Sequence, residues 1–573
     1  MRAYMVTRWR STCGQGSSSS SSSSAAPVAA TSPSLGDGSH FGGLASMPGL
    51  PLPPHNLTAH VNEMFSGDKP LPFVLIDWAR RYGPLFRYYS TRGKPVVVVS
   101  DPAMAKEVLI QRFSSFRDRT RKDETSELDT MGLLHSSGKY WTGVRLVLMQ
   151  YLYSPRLNKF LPLMQRATTA FVTKLYNVPE GDVVKLEEGL LFLAMDVVAE
   201  VALGIPFDSQ DEWENTPLLR ALISDMNSKQ DTTRVADNDD QPCCIAFLHK
   251  FMSHIPWTAE YTRSLNPKLT MRELKRIVAR RWKENNIENK EDLLSFLMKA
   301  RIEEDSELEK TSRALTNDEL AGIVRDIMVA GSTTAASTLV FAITLLCKHP
   351  HIKAEVVAEI DRWYEQHASG TVDVSRICDR EAPVDHSHKE TVQDAAMGLK
   401  QEDIQCKFPC LDKVIQETAR MYCVSEVIER VCTEDTHLGG YFIPMGTQVH
   451  INTYGIHYNP ELFLMPEAFR PQRFGRLSSL SLIGIPHNNF QMFPNPINPS
   501  LLGFGLGPRR CPGKSFALLE MKVVLIRLLR HFDFRLVSDD SANSRLDIET
   551  GPTLRLKGGL PVTVHMRRRS GER

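Results

Sequence analysis

The chain has 573 residues, of which 42% are hydrophobic and 24% charged, and 68 basic side chains stand against 67 acidic ones for a net charge of +1. So even a balance argues against a polyanion-binding protein, and no nucleic acid is expected as a partner. The length supports a core large enough to enclose a bound group, and ten irregularly spaced cysteines speak against a disulfide framework and for thiols in a reducing compartment.

From the N-terminus, residues 1–46 are expected to be a disordered leader. Arg2, Arg8 and Arg10 are basic, Ser17 to Ser24 is unbroken serine, and Asp37 is the first acid. Such a start reads either as an organelle transit peptide, for a plastid or a mitochondrion, or as a disordered tail without an address. No apolar run of the ~18 residues a spanning helix needs is read anywhere in the chain, so no transmembrane anchor is expected. Peripheral membrane contact through an apolar surface stays open. Met47 to Pro54 is a stiff, proline-rich extended segment. Pro84–Tyr89 and Pro95–Ser100 read as two strands around Thr91-Arg92-Gly93-Lys94, a hairpin signal. From Asp101 to about Gln366 the pattern is mostly helical. Within it, Trp141 and Arg145 are spaced i, i+4 and point the same way along a helix.

The longest helix is bracketed by a capping box, Thr316-Asn317-Asp318-Glu319, and by Pro350, with apolar residues continuing to Cys347. Its middle reads Ala330-Gly331-Ser332-Thr333-Thr334-Ala335. Residues 366–408 turn polar and irregular. Cys378, His386, His388, Cys406 and Cys410 fall there, but at spacings that fit no standard zinc finger, and a solvated insertion is expected. Glu417-Thr418-Ala419-Arg420 puts opposite charges one helical turn apart. Residues 478–498 form a second polar insertion. Further on, Cys511 sits in Phe504-Gly505-Leu506-Gly507-Pro508-Arg509-Arg510-Cys511-Pro512-Gly513, ahead of a helix from about Gly513 to Arg530. A thiolate is a soft ligand for iron, glycines let the backbone turn tightly, and the positive end of a helix favours negative sulfur. Residues 547–565 alternate like strands joined at Gly558-Gly559.

The pattern F-G-x-G-x-R-x-C-x-G at 504–513 resembles the haem-binding loop of the cytochrome P-450 family, with every fixed position matched. The remaining motifs follow in the family's order over about residues 47–566. The resemblance implies a mainly α fold with small β-sheets (α+β), in which a long central helix lies over the haem, and a single catalytic domain over 47–573. It implies haem b with Cys511 as axial thiolate, in a loop that includes Phe504, Gly505 and Gly513. Arg509, Arg145 with Trp141, and Arg430 are then the partners of the haem carboxylates, since buried carboxylates demand cations. Phe469-Arg470-Pro471-Gln472-Arg473-Phe474 resembles the family's F-x-P-x-R-F, so that Glu417, Arg420 and Arg473 form a buried structural charge network.

Two departures matter. Thr334 falls at the family's oxygen-side threonine, but Thr333 occupies the place of the usual acid; a hydroxyl relays protons without supplying a net one. Asp326, two turns earlier, reaches that place only through water. After Arg420 the run Met421-Tyr422-Cys423-Val424-Ser425-Glu426-Val427-Ile428 lacks the usual prolines, and Glu426 interrupts an otherwise apolar wall. The expected activity is a haem-thiolate monooxygenase. It would insert one atom of dioxygen into a lipophilic small molecule, with electrons from a donor protein (a reductase or a ferredoxin) that docks near Lys514 and Lys522. Thr334 and Thr333 are the expected catalytic residues. The alternatives are a reductant-independent lipid hydroperoxide or endoperoxide isomerase or dehydratase on the same fold, and a non-catalytic haem-binding sensor.

Overall fold

A computed structural model describes residues 44, 46–50, 69–90, 94–119, 131–212, 217–223, 259–284, 287–303, 312–367, 398–475, 501–537, 545–550 and 553–567. Residues 1–43 and 45 of the leader, the polar stretches 368–397 and 476–500, the hairpin tip 91–93 and Cys378, His386 and His388 lie outside the described residues, whereas Leu44 is buried in the core. Among the described residues no cluster of metal-ligating side chains is present.

The elements that build the site are, in order, α1 (Leu71–Tyr82), β1 (Leu85–Tyr89), β2 (Pro95–Val99), α2 (Gly138–Tyr151), α3 (Leu157–Tyr176), β3 (Val183–Lys185), α4 (Leu186–Leu203), α5 (Asn317–Lys348), α6 (Pro350–His367), α7 (Gln401–Cys406), α8 (Pro409–Met421), β4 (Val427–Val431), β5 (Gln448–Asn452), α9 (Thr453–His457), α10 (Lys514–His531), β6 (Phe532–Leu536), β7 (Ile548–Glu549), β8 (Arg555–Leu556) and β9 (Pro561–Met566). The protein is therefore mainly helical with small sheets, as the resemblance implied.

The central rod α5 starts where the sequence placed it. The Thr316 hydroxyl accepts from the Glu319 amide at 3.2 Å, and the Glu319 carboxylate accepts from the Thr316 amide at 2.7 Å. Arg313 clamps the same carboxylate at 2.6 and 2.8 Å. At ~1.5 Å per residue the helix runs roughly 48 Å, and it packs along α4 through the core. In length and composition α5 would suffice to cross a membrane, against the expectation that no such run exists. Its most apolar stretch is 72% buried inside the fold, so it is a core helix.

The predicted hairpin forms, with Leu85 opposite Val99 and Tyr89 opposite Pro95. It extends into a four-stranded sheet, β1-β2-β5-β4, in which β2 and β5 run parallel and β4 returns antiparallel. All of Pro95 to Val99 is buried, which explains its continuous valines. The start of the proline-rich segment runs beside this sheet: the Leu50 amide donates to the Arg87 carbonyl at 3.0 Å and the Arg87 amide to that of Pro48 at 2.9 Å.

Two local readings need correction. The stretch 398–408 is not all irregular, because Gln401–Cys406 is a turn of helix that buries Gln401 and Ile404. The region from Asp101 to residue 366 is mostly helical as expected, with a few short strands such as β3. The strands on either side of Gly558-Gly559 belong to different sheets: β8 pairs with β7, and β9 lies between β6 and β3. The reason lies in α4. Both glycines have positive φ, Glu187 accepts the Leu560 amide at 2.8 Å, and a Cβ on Gly559 would lie 1.9 Å from a Glu187 oxygen. The turn is thus pinned to the start of α4, and cannot fold β9 back onto β8.

Candidate active site

The cysteine loop is built by its own backbone. The Cys511 amide donates to the Phe504 carbonyl at 2.8 Å, and the Gly505 amide to that of Leu502 at 2.8 Å. Gly505 and Gly507 adopt φ of +69° and +75°, and a Cβ on Gly507 would sit 1.9 Å from the Leu109 carbonyl oxygen. Both glycines are required there. The loop delivers Cys511 and Gly513 to the wall of a large cavity just before α10 begins at Lys514. Burial pushes the thiol pKa up, and the Gly513 amide, Arg145, Arg119 and Lys514 pull against it.

The same cavity is walled by Trp141 and Arg145 of α2, by Asp326, Ala330, Gly331 and Thr334 of α5, by Tyr422 to Ser425, and by Arg509. The sequence motifs, scattered over almost four hundred positions, thus converge. Arg145 donates to the Arg510 carbonyl at 2.5 Å. Arg509 donates to the Ser136 carbonyl at 2.7 Å, lies 3.6 Å from Asp118 and stacks 4.2 Å above the Trp141 ring. Arg430 is 1% exposed, and its guanidinium donates to the neighbouring Glu429 carbonyl at 2.7 Å. It does not itself line the cavity, but it shares a positive field with Arg509 and Arg119. Burial, reinforced by those neighbours, pushes Arg430 and Arg509 down to about 9.

Sequence reasoning missed Arg119 and His457. Arg119 lines the cavity beside Asp326 and Glu429, carried there because the Asp118 carbonyl accepts the Val431 amide at 2.8 Å. No periodicity marks it in Phe116-Arg117-Asp118-Arg119. Arg119, Arg145 and Arg509 make a cationic rim on the cavity, and the buried Arg430 adds to its field. The Nε atoms of Arg430 and Arg509 are buried without a hydrogen-bond partner. That rim suits a flat ligand with carboxylates at one edge, and the cysteine sulfur suits a metal at its centre, so the residues present fit haem.

On α5 the hydroxyls of Ser332, Thr333 and Thr334 each donate to a carbonyl one turn back, at 2.7, 2.8 and 2.7 Å. Thr334 lines the cavity and Thr333 is not among its lining residues. Gly331 lines the cavity and also packs against α4: a Cβ there would lie 3.0 Å from Val198. Glu426 is likewise not a lining residue, whereas Ser425 and Val427 are. Lys522 corrects the docking-face expectation. It is buried, 2.5 Å from Asp412, and donates to the Ile404 carbonyl at 3.0 Å, so it tethers α10 to α7 and α8. Lys514 is exposed.

Behind the loop, Glu417 and Arg420 are both fully buried and bidentate, at 2.8 and 2.9 Å. Arg473 adds a third member 3.0 Å from Glu417 and binds the carbonyls of Leu464, Met465 and Ala468. Arg420 also holds the carbonyls of His457 and Pro466.

The fold and this convergence define a haem-thiolate class of oxidoreductase. The family model "Cytochrome P450" matches residues 50–554. The chain belongs to the cytochrome P450 family and is a P450 monooxygenase. It is similar to cytochrome P450 3A13 of Mus musculus, 27% identical over 486 residues that cover 81% of this chain and 84% of the relative. It also resembles thromboxane-A synthase of Rattus norvegicus, at 25% identity over 509 residues covering 85% and 87%. Cytochrome P450 3A5 of Homo sapiens is 26% identical over 485 residues, 82% of each chain. The family implies haem held through a cysteine thiolate, dioxygen, lipophilic substrates and a redox partner.

Proposed function

We propose that this chain inserts one oxygen atom of dioxygen into a lipophilic small molecule, with haem b seated on Cys511. The observation that carries this reading is the meeting of the Cys511 sulfur, the Thr334 hydroxyl and a rim of buried arginines in one largely apolar cavity. Arg145, Arg509 with Trp141 stacked on it, Arg430 and Arg119 hold the haem carboxylates. Phe504, Gly505 and Gly513 shape the loop around the sulfur. When bound, the haem would supply the oxidising chemistry, and thiolate ligation by Cys511 would favour O–O cleavage.

The chain's own part is positioning and proton handling. Thr334 donates to the Ala330 carbonyl, which leaves its oxygen lone pairs to accept from a water in the cavity. Thr333, bonded back to Val329, assists only by holding the helix. Leu133, Val198, Val201 and Ile327 supply the apolar wall that a lipophilic substrate displaces water from. Glu417, Arg420 and Arg473 fix the segment behind the loop. Residues 1–46 act as an organelle leader and 47–573 as one catalytic domain, with Lys514 on the face that meets the electron donor.

A second reading is an isomerase acting on a lipid peroxide without reductant. A threonine where the family has its acid, and similarity to a chain named thromboxane-A synthase, favour it. One experiment separates the two. Haem-loaded protein is supplied with candidate lipophilic substrates, dioxygen and a reducing system, and in parallel with a lipid hydroperoxide alone. Oxygenated product that requires both dioxygen and reductant supports the first reading; peroxide turnover without either supports the second.

A further inference from the structure

We propose that Glu520 is a redox-linked proton acceptor: its buried carboxylate takes up a proton when the iron seated on Cys511 takes up an electron, and so sets how reduction of that iron depends on pH. The proposal goes beyond the monooxygenase reading and rests only on the haem seat.

Glu520 lies on α10, the helix that follows the cysteine loop. It is 0% exposed, and among the described residues neither of its carboxylate oxygens has a hydrogen-bond partner. An ionised carboxylate in that condition is costly, so the group keeps a proton instead. Phe516 and Ala517, four and three residues earlier, line the cavity, which puts Glu520 on the same face of α10 one turn behind the cavity wall. Val523 and Val524, one turn further on, are fully buried. The elements packed on α10 include α3, α5, α6, α7 and β6. Their charged groups are engaged elsewhere: Lys159 with Glu291, Arg166 with Glu200, Lys353 and Arg535 with Asp533, Arg530 and Arg567 with Asp361, and Lys522 with Asp412. Glu359 accepts the Cys410 and Leu411 amides, and His531 bonds Tyr176. On α5, Arg325, Asp326 and Lys348 have partners of their own, and on α7 Glu402 is exposed and Asp403 half-buried. Arg527 is buried two turns ahead on the same face. None of these biases Glu520; burial alone pushes it up to about 8.

The coupling follows from distance. The seven residues from Gly513 to Glu520 rise ~10 Å, so a charge added at the iron lies roughly 13 Å from the carboxylate. At an effective dielectric of ~20 it changes the proton affinity there about eightfold. The step balances: a one-electron donor reduces iron(III) to iron(II), and the carboxylate forms one O–H bond with a proton drawn from solvent. Well below pH 8 the carboxyl is protonated in both states. Above it, reduction must draw the proton in, and becomes less favourable as pH rises.

The test is a spectroelectrochemical titration of haem-loaded wild type, Glu520→Gln and Glu520→Met between pH 7 and pH 10, with redox difference infrared spectra at pH 9. At a fixed applied potential, the wild-type ratio of reduced to oxidised iron should fall several-fold across that range, up to about eightfold. Reduction should also raise a protonated-carboxyl band. Gln keeps the shape of the side chain without a titrating group, and Met fills its place with an apolar chain. Both variants should lose the band and hold the ratio within about twofold, the remainder coming from other groups such as the haem carboxylates. A wild-type ratio independent of pH, a wild-type spectrum without the band, or an equal fall in either variant that retains haem would overturn the proposal. Any of these results beside a carbon monoxide band of the thiolate type sinks the proposal and leaves the haem seat standing.

Discussion

The imidazole of His457 accepts the amide hydrogen of Leu502 at 2.9 Å, while its other nitrogen donates to the Arg420 carbonyl at 2.9 Å. Arg420 belongs to the buried charge network, and Leu502 accepts the Gly505 amide at the start of the cysteine loop. One neutral ring therefore joins the two motifs, and only one tautomer satisfies both bonds.

That ring makes the fold acid-sensitive. Burial, and then the Arg420 guanidinium, hold His457 down at about 3, against ~6.5 in an unfolded chain. Between those values the unfolded chain takes up a proton that the native ring refuses. The stability contributed is complete above pH ~6.5 and drains as pH falls through the window towards 3. Haem retention of wild type should decline over this range. His457→Leu should lose about 1–3 kcal/mol at pH 7 through the orphaned Leu502 amide, and show a flatter acid profile in denaturant titrations.

Replacing Glu417 by Gln leaves two buried arginines facing a neutral amide. A loss of about 3–5 kcal/mol is expected, read as protein recovered without haem or with a lowered unfolding midpoint. Arg473→Ala should cost less, because Arg473 is partly exposed and the Glu417–Arg420 pair survives.

Cys511→His should keep the folded core and some pigment. It should abolish the long-wavelength carbon monoxide band that marks thiolate ligation, and with it oxygenation. An unaltered band would remove Cys511 from the iron.

Thr334→Ala removes a hydroxyl from the cavity without opening the loop. Product formed per electron consumed should fall several-fold while haem content stays constant. Thr333→Ala, whose hydroxyl is bonded to Val329 off the cavity wall, should leave that ratio within twofold. Equal behaviour of the two variants would dismiss Thr334 from proton handling.

Arg430→Leu and Arg509→Leu should each weaken haem retention about tenfold or more in transfer to an apo-protein acceptor, since each removes a buried cation. Arg430→Leu should also raise the stability of the haem-free chain, because a buried charge whose Nε has no hydrogen-bond partner disappears.

The sequence determined what local chemistry decides: the capping box that starts α5, the valine run of β2, the positive-φ glycines around Cys511, and the one-turn pairing of Glu417 with Arg420. Each is written in adjacent residues or in residues one helical turn apart, and each was legible without coordinates. Tertiary structure decided what depends on long-range approach. It turned Lys522 inward onto Asp412, sent β9 to a different sheet through Glu187, kept Thr333 off the cavity wall, and brought Arg119 and His457 to the site from segments with no motif of their own. A side chain's role there depends on which distant backbone comes within hydrogen-bond range, and no spacing along the chain encodes that.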